Sequence, residues 1–280
     1  MKQMITARLQ RYWDLRAAAN FIGGGTGTGL VVASGLGWLL GLDVTIPLLA
    51  GLAFVGLGLS MVWLEIGKPW RALHVFFHPQ TSWMTREGIL AAPLMAAGAG
   101  FWWFDQPLLL AVAVFFAIGF VYCQARILRA AKAIPAWSHV RTVPLILMTA
   151  AAEGTGLFLV LGEPAPMMVS AALAMAIARE AAREAYRQAL KRDRAPEGTL
   201  EWFVRPEVRV LQAMRWVSMV LLLVGAFGSG PAAMAGGLLA VLTGWGLKVI
   251  MVTKAAFNRG ARVPRTPVRG RDSSRLVQPH

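Results

Sequence analysis

Long apolar stretches, separated by short polar segments, dominate the sequence. Most approach the roughly 20 residues that a helix needs to cross the hydrocarbon core of a bilayer, and they are continuous, as in "PLLAGLAFVGLGLSMVWL". A membrane β-barrel would instead show alternating segments of about ten residues. The pattern therefore predicts an all-α integral membrane bundle of eight transmembrane helices, over residues 19–42, 44–66, 88–104, 107–128, 142–162, 166–186, 213–229 and 231–253.

The cations divide the connecting segments into two groups. All 28 Lys and Arg residues are assigned to the ends of the chain or to every second connection. The only charged residues in the other connections are Asp43, Asp105 and Glu163. With an even number of spans, the basic regions share one membrane face, which the positive-inside rule makes cytoplasmic. We therefore expect a protein of the bacterial cytoplasmic (inner) membrane, with both termini and the motif-bearing loops in the cytoplasm. A basic surface that docks an acidic partner subunit is the alternative explanation.

Composition agrees with a membrane protein. Hydrophobic residues make up 56% of the chain and charged residues 15%, with a mean hydropathy of +0.55, whereas soluble domains average about 25% charged residues. The net charge of +14 would suit a nucleic-acid-binding protein, but the position of the charges at one membrane face excludes nucleic acid as a partner. We expect a transmembrane domain over residues 1–257 and a basic, disordered cytoplasmic tail over 258–280. The sixth helix is expected to continue past residue 186 with a solvated face.

Two kinds of redox cofactor are not expected in this chain. Its single cysteine, Cys123, is too few for an iron–sulfur cluster, which generally takes four ligands. A haem with two axial histidines would need a histidine pair inside the spans. All four histidines instead fall at or beyond the basic face, and they are His74, His78, His139 and His280.

A glycine-rich segment, "GGGTGTG" at residues 23–29, lies inside the first predicted span. It lacks the preceding strand and the Gly-Lys-Ser/Thr ending of a phosphate-binding loop. Small residues four positions apart let helix backbones approach closely in lipid, so the segment is interpreted as a packing surface. The space left by absent side chains also allows a flat ligand nearby.

Three polar residues at membrane depth are functional candidates by their position. Glu65, at the end of the second span, is either an interfacial carboxylate paired with Lys68 or a proton-exchanging group. Glu153, near the middle of the fifth span, is either hydrogen-bonded to another helix or part of a proton path. Asn20 is either the N-cap of the first helix or a ligand contact.

The order of motifs resembles the membrane-anchor subunits of the dimethyl sulfoxide reductase family. These are related more distantly to the integral subunits of polysulfide reductases and formate-linked nitrite reductases. The resemblance is carried by "EIGKPWRAL" after the second span, "SWMTREG" entering the third, and "YCQARILRAAKAIPAWSHVRTVP" across the fourth-to-fifth connection. The opening "RYWDLRAAANFIGGGTGTGL" is also similar to the anchors of phenylacetyl-CoA:acceptor oxidoreductases, whose CoA thioester substrate would be cytoplasmic.

The resemblance implies the third subunit of a complex with two soluble partners. One is a molybdopterin catalytic subunit, and the other is a four-cluster ferredoxin-like iron–sulfur subunit. The anchor would exchange electrons between those clusters and the membrane quinone pool, menaquinone or ubiquinone, while the substrate active site lies in another chain. A histidine of the family is replaced here by Glu65, which we expect to be the catalytic proton acceptor. The family also tends to place a tyrosine two residues after the arginine of the fourth helix, but Arg126 is followed there by Leu128, with Tyr122 one turn earlier.

The expected quinone site is a band of polar and aromatic residues at the basic face. Lys68, Arg71 and Arg86 also have a plainer interpretation as topology determinants and contacts to membrane lipid headgroups. Two other functions remain open, a secondary transporter and a purely structural anchor. The quinone-binding candidates are Asn20, Glu65, Lys68, Arg71, His74, Trp83, Arg86, Glu87, Arg126, His139 and Arg141, with Glu153 in the proton path and no metal ligands.

Overall fold

Helices make up most of the part of the chain that the structure describes. A computed structural model describes residues 6–66 and 77–260, except for the side chains of residues 65 and 66. Its fold is all-helical, with 80% of residues in helices and no strand in the described ranges. The helices are α1 (Leu15–Leu39), α2 (Thr45–Ile66), α3 (Trp83–Phe104), α4 (Pro107–Ala130), α5 (Pro135–Ser138), α6 (Thr142–Leu161), α7 (Pro166–Arg192), α8 (Glu197–Trp202), α9 (Pro206–Ala226) and α10 (Gly230–Val249), and a π-helical turn (Ile250–Lys254) follows α10.

Five of the described helices are long and apolar enough to cross a membrane: α2, α4, α6, α9, and α10 with its π-helical turn. The membrane character predicted from the sequence is therefore confirmed in these five. Three more helices have similar lengths but are less apolar. Glycine and threonine dilute the apolar residues of α1, Arg86 and Glu87 lie among the first five residues of α3, and charged residues fill the second half of α7.

Proline and capping residues define where the helices begin. The first residue is proline in α4, α5, α7 and α9, where the missing N–H has no intrahelical partner to lose. Asp14 caps α1, and Ser82 caps α3 by accepting a hydrogen bond from the Thr85 N–H at 3.2 Å. Both helices therefore begin earlier than the apolar pattern predicts. The expected extension of the sixth long helix is confirmed, because α7 continues to Arg192.

The central helix of the bundle is α1, which packs against α2, α4, α6 and α10. Its glycines allow this. A Cβ built on Gly58 of α2 would lie 2.8 Å from the backbone nitrogen of Gly24, and one built on Gly29 would overlap the carbonyl group of Ala150 in α6. The packing interpretation of residues 23–29 is confirmed, because the segment touches other helices at backbone distance.

Consecutive long helices run antiparallel, so their connections alternate between two ends of the bundle. Gly100 near the end of α3 faces Leu109 near the start of α4, and Gly225 near the end of α9 faces Ala233 near the start of α10. At one end, which we call the acidic end, connections 40–44, 105–106, 162–165 and 227–229 contain three acidic residues and no Lys or Arg. The other end, the basic end, holds the described N-terminal segment and the remaining connections.

The first and last described segments of the chain meet at the basic end. Arg8 and Asn258 exchange hydrogen bonds, the Arg8 N–H donating to Asn258 Oδ1 at 2.8 Å and the Asn258 N–H to the Arg8 carbonyl at 2.9 Å. Leu9 and Phe257 form an isolated antiparallel bridge. Asn258, assigned to the tail from the sequence, therefore contacts the N-terminal segment, and residues 261–280 of the predicted tail lie outside the described ranges.

Candidate functional site

Three buried polar side chains meet between α1, α3 and α4 near the basic end. Asn20, Glu87 and Gln124, which we call the amide–carboxyl cluster, are 6%, 4% and 0% exposed. Gln124 Nε2 donates a hydrogen bond to the Asn20 backbone carbonyl at 3.1 Å, and the Gln124 amide also lies within hydrogen-bonding reach of the Glu87 carboxyl group. Because Gly24 has no side chain, the Gln124 amide can press against α1.

Each member of this cluster keeps one oxygen without a hydrogen-bond partner among the described residues. The atoms are Asn20 Oδ1, Glu87 Oε1 and Gln124 Oε1. A buried polar group without a partner costs free energy, and such atoms in a native structure call for an explanation such as a bound molecule. The cluster can accept hydrogen bonds from hydroxyl groups, and Glu87 can accept a proton or, once protonated, donate one. The N-cap interpretation of Asn20 was wrong, because Asp14 caps α1 and Asn20 lies inside the helix.

Aromatic and cationic side chains border the cluster on α3 and α4. The guanidinium carbons of Arg86 and Arg126 lie over the Trp83 ring, at 4.1 and 4.3 Å from its centroid. Arg126 Nη1 donates to the Tyr122 hydroxyl at 2.8 Å, and the Tyr122 ring meets Trp83 edge-on at 5.9 Å. We call these four residues the arginine–tryptophan cluster. The motif considered in the sequence would place a tyrosine two residues after Arg126. Here Tyr122, one turn before Arg126, makes the contact with this arginine.

Arg86 has a structural role as well. Its Nε and Nη2 atoms donate to the carbonyl oxygens of Pro79 and Gln80 at 2.7 and 2.8 Å. These bonds fasten the end of the α2–α3 connection to the first turn of α3. They hold Trp83 and Glu87 at fixed positions relative to the connection.

Several predicted residues cannot be placed at this site. The side chain of Glu65, in the last turn of α2, and all of Lys68, Arg71 and His74 lie outside the described residues. The described part of α2 does reach the cluster, because a Cβ on Gly58 would lie 3.1 Å from the Asn20 carbonyl oxygen. Glu65 is seven residues, or two turns, further along the same helix.

His139 and Arg141 contact a different part of the basic end. His139 Nε2 lies 3.2 Å from Asp193 Oδ2 at the end of α7, and the Arg141 N–H donates to His139 Nδ1 at 3.0 Å. A hydrogen bond from Arg192 holds the pKa of Asp193 below its usual range, with a smaller contribution from His139. Both His139 and Asp193 line a cleft of about 1240 Å³. The structure therefore brings Asn20, Trp83, Arg86, Glu87 and Arg126 together and leaves His139 in this separate cleft, with the Arg141 backbone bonded to it.

A second polar site lies deeper in the bundle, around Glu153. Glu153 in α6 and Lys248 in α10 are both fully buried, with Lys248 Nζ 2.6 Å from Glu153 Oε2. Thr26 of α1 donates to the same carboxylate oxygen at 2.8 Å, and Trp245 Nε1 donates to the Thr26 hydroxyl at 2.9 Å. The prediction that Glu153 is hydrogen-bonded to another helix is confirmed, because Glu153 accepts from Thr26 of α1.

The residues in and beside the two polar sites that the sequence did not mark as candidates are Gln124, Tyr122, Lys248 and Thr26. Lys248 lies inside an apolar run, "GWGLKVIM", and an ionisable residue in such a run is itself a functional signal. The charge pattern of the sequence groups Lys248 with the cations of the C-terminal end instead. Gln124 offers a weaker signal, as a polar residue two positions before Arg126 at the end of a span.

Within the described ranges, no group of three His, Cys, Asp or Glu side chains is arranged to hold a metal ion. Comparison with known proteins found no family model that matches the chain and no curated protein that matches it. The function has to follow from the two polar sites and their positions in the bundle.

Proposed function

We propose that this protein is the quinone-reactive membrane anchor of a molybdopterin and iron–sulfur oxidoreductase complex. All eight long helices cross the cytoplasmic membrane of a bacterium, with the basic end inside. The observation that carries the proposal is the set of three unpartnered oxygens of Asn20, Glu87 and Gln124, which are buried near the basic end of the bundle beside aromatic side chains.

The residue types of the amide–carboxyl cluster suit a quinone headgroup. A bound quinol supplies two electrons and two protons, and it carries two oxygens that need hydrogen-bonding partners. The amides of Asn20 and Gln124 both donate and accept hydrogen bonds. The Glu87 carboxylate accepts a hydroxyl proton, and Trp83, in contact with Arg86 and Arg126, lies next to the site. Glu65 remains a proposed second proton acceptor at the end of α2.

The basic end suits the docking of the partner subunits. In this proposal, an iron–sulfur subunit docks near the amide–carboxyl cluster and takes electrons from the site or delivers them to it. The molybdopterin subunit carries the substrate chemistry on the cytoplasmic side, in keeping with a CoA thioester substrate. Arg129, Lys132, Lys191 and Arg194 all lie in this end of the bundle, and their charges complement an acidic protein surface.

A secondary transporter is the second candidate, because a fully buried Glu153–Lys248 pair is typical of coupling sites in the membrane. Gentle detergent purification separates the two. Co-purification of molybdenum and of iron–sulfur absorbance supports the anchor. A stable oligomer of this chain alone that takes up a solute in vesicles would overturn it.

The site itself is tested in the intact complex with Glu87→Gln, which keeps the size of the side chain but cannot accept the proton. Because a positioned general base contributes about 10²–10⁴-fold, we expect quinone-linked turnover to fall at least tenfold. Turnover of the catalytic subunit with an artificial soluble electron carrier should be unchanged. Glu65→Gln, measured in parallel, shows whether the second carboxylate shares the role.

The matched control is Glu163→Gln, an exposed carboxylate at the acidic end, which should have no effect. Wild-type quinone-linked turnover in the Glu87→Gln complex would refute the assignment of the site and leave a purely structural anchor.

A further inference from the structure

The Glu153–Lys248 pair and the amide–carboxyl cluster contact the same turn of α1. A Cβ built on Gly24 would meet the Gln124 amide, and a Cβ built on Gly25 would meet the Lys248 ammonium group. Two consecutive residues without side chains therefore stand between the two polar sites. Thr26, the next residue, donates directly to Glu153 at 2.8 Å.

Two buried atoms beside the pair have complementary hydrogen-bonding needs. Glu153 Oε1 is an acceptor and Arg179 Nε–H is a donor, and neither has a partner among the described residues. Arg179 donates to the Ala240 carbonyl at 2.6 Å and to the Thr243 hydroxyl at 3.2 Å, and Glu153 lies against the next residue, Gly244. One water molecule can donate to the carboxylate and accept from the guanidinium, as buried waters commonly do between otherwise unpaired groups.

Polar side chains continue from Arg179 toward the basic end. Glu180 accepts hydrogen bonds from Arg183 at 2.5 Å and Gln212 at 3.1 Å, and its other oxygen lies 2.9 Å from Arg215 Nε. Arg183 and Arg215 line a cavity of about 30 Å³, more than the roughly 10–15 Å³ that a single water requires. We call Arg179 and these four residues the polar column.

Toward the acidic end the same helices bury no charged side chain in the described ranges, and the buried hydroxyls of Ser34, Thr155 and Ser218 all donate to backbone carbonyls. A Cβ on Gly156 of α6 would lie 2.6 Å from the Gly237 carbonyl oxygen of α10, so the two backbones are in contact. Leu30, Phe158 and Leu159 are fully buried in this half of the bundle. The described part of the polar column therefore leads from Glu153 toward the basic end.

We propose that Glu153 and Lys248 form a proton-exchanging pair for the quinone site, reached by water from the basic end through the polar column. The proposal rests on the proposed function and adds to it the route that protons take. The charged and polar groups facing the pair are Thr26 from α1, Arg179 from α7, and Thr243 and Trp245 from α10.

The proton balance is simple. Of the two protons released by quinol oxidation, the Glu87 carboxylate accepts one and the Glu153 carboxylate the other, while both electrons pass to the iron–sulfur partner. Glu153 becomes a neutral acid and Lys248 keeps its ammonium proton. Both acids then return their protons to water at the basic end, Glu153 by way of the polar column. The same groups deliver protons when electrons flow in the opposite direction.

Water access is tested without reference to quinone. In a Cys123→Ala background, Thr243→Cys places a thiol beside Arg179, at the inner end of the polar column, and Thr149→Cys is the matched control. Thr149 is equally buried, at 0% exposure, and lies one turn nearer the basic end than Glu153 on α6, but outside the column. Purified protein in lipid nanodiscs is treated with iodoacetamide, which alkylates thiolates that water can reach.

We expect the thiol at position 243 to react at least tenfold faster than the thiol at position 149. Equal or slower reaction would overturn the water route. Melting temperatures and elution profiles of both variants identify any loss of folding, and a residue-243 thiol that reacts only in unfolded protein counts against the proposal.

The functional role is tested in the intact complex with the double variant Glu153→Gln/Lys248→Met, which removes both charges together. We expect quinone-linked turnover to fall at least tenfold and to lose most of its solvent deuterium isotope effect, while a quinone-analogue inhibitor still binds. If Glu87→Gln slows turnover but the double variant does not, the proton-exchanging role fails and the quinone site stands. If neither variant slows turnover, the proposed function itself fails.

Discussion

At the scale of single residues, the Glu153–Lys248 pair shows what a sequence does and does not reveal. Glu153 was recognisable as an ionisable group inside an apolar run, but its partner lies 95 residues away in sequence. Nothing along the chain states that α6 and α10 are neighbours. The pairing becomes visible only once helix order and rotation are known.

Replacing Lys248 alone should destabilise the protein more than replacing both members of the pair. Lys248→Met leaves a buried carboxylate without its cation, and breaking one side of a buried ion pair costs about 3–5 kcal/mol. The Glu153→Gln/Lys248→Met double variant removes both charges and should recover most of that loss. Thermal unfolding in detergent measures the difference. A double variant less stable than Lys248→Met would contradict the pairing.

Trp83 supports two guanidinium groups, so its replacement should loosen the start of α3. Cation–π contacts at partly exposed sites contribute about 0.5–1 kcal/mol each. Trp83→Leu should therefore lower the free energy of unfolding by about 1–2 kcal/mol, whereas Trp83→Phe should retain part of both contacts. Equal losses in the two variants, measured by thermal unfolding, would show that the contacts with Arg86 and Arg126 add nothing.

At the scale of helices, the apolar pattern predicts that a helix is present better than it predicts where the helix begins. Each of the eight apolar stretches corresponds to a long helix, yet α1 and α3 begin at Leu15 and Trp83 instead of 19 and 88. The reason is that Asp14 and Ser82 cap polar first turns that a hydropathy pattern does not count. The glycine segment of α1 was assigned to packing, but the side chains that fill its spaces, Gln124 and Lys248, were not foreseen.

Two glycines of α2 give a matched test of the α1–α2 contact. Gly58 faces the α1 backbone, whereas a Cβ on Gly56 would meet nothing within 4 Å. Gly58→Ala should destabilise the bundle because the added carbon forces the helices apart. Gly56→Ala should be neutral or stabilising by about 0.5–1 kcal/mol, as expected for alanine in a helix. Equal behaviour of the two variants in thermal unfolding would contradict the close approach.

At the scale of the whole molecule, alternating helices collect charge at one end. This division was predictable because it depends only on which connections carry cations. The composition of the proposed quinone site was only partly predictable. Asn20, Glu87 and Arg126 were recognised and do meet, but His139 and Arg141 were assigned to the same band because they share a membrane face, and the structure places them with Asp193.

The proposed orientation predicts opposite accessibility for the two ends. In a Cys123→Ala background, Gln106→Cys at the acidic end should react with an impermeant thiol reagent added to intact spheroplasts. Lys132→Cys at the basic end should react only after the membrane is opened. The two positions are both exposed in the structure, so access to the thiol is matched. The reverse labelling pattern would place the basic end outside.

The proposed quinone site is tested most directly by photoaffinity labelling of the purified complex with an azido-quinone, followed by mass spectrometry of the labelled peptides. We expect labels on the segments of α1, α3 and α4 that carry Asn20, Trp83 to Glu87 and Tyr122 to Arg126. An excess of the unmodified quinone should suppress these labels. Saturable labelling confined to other helices, or none in this chain, would contradict the account.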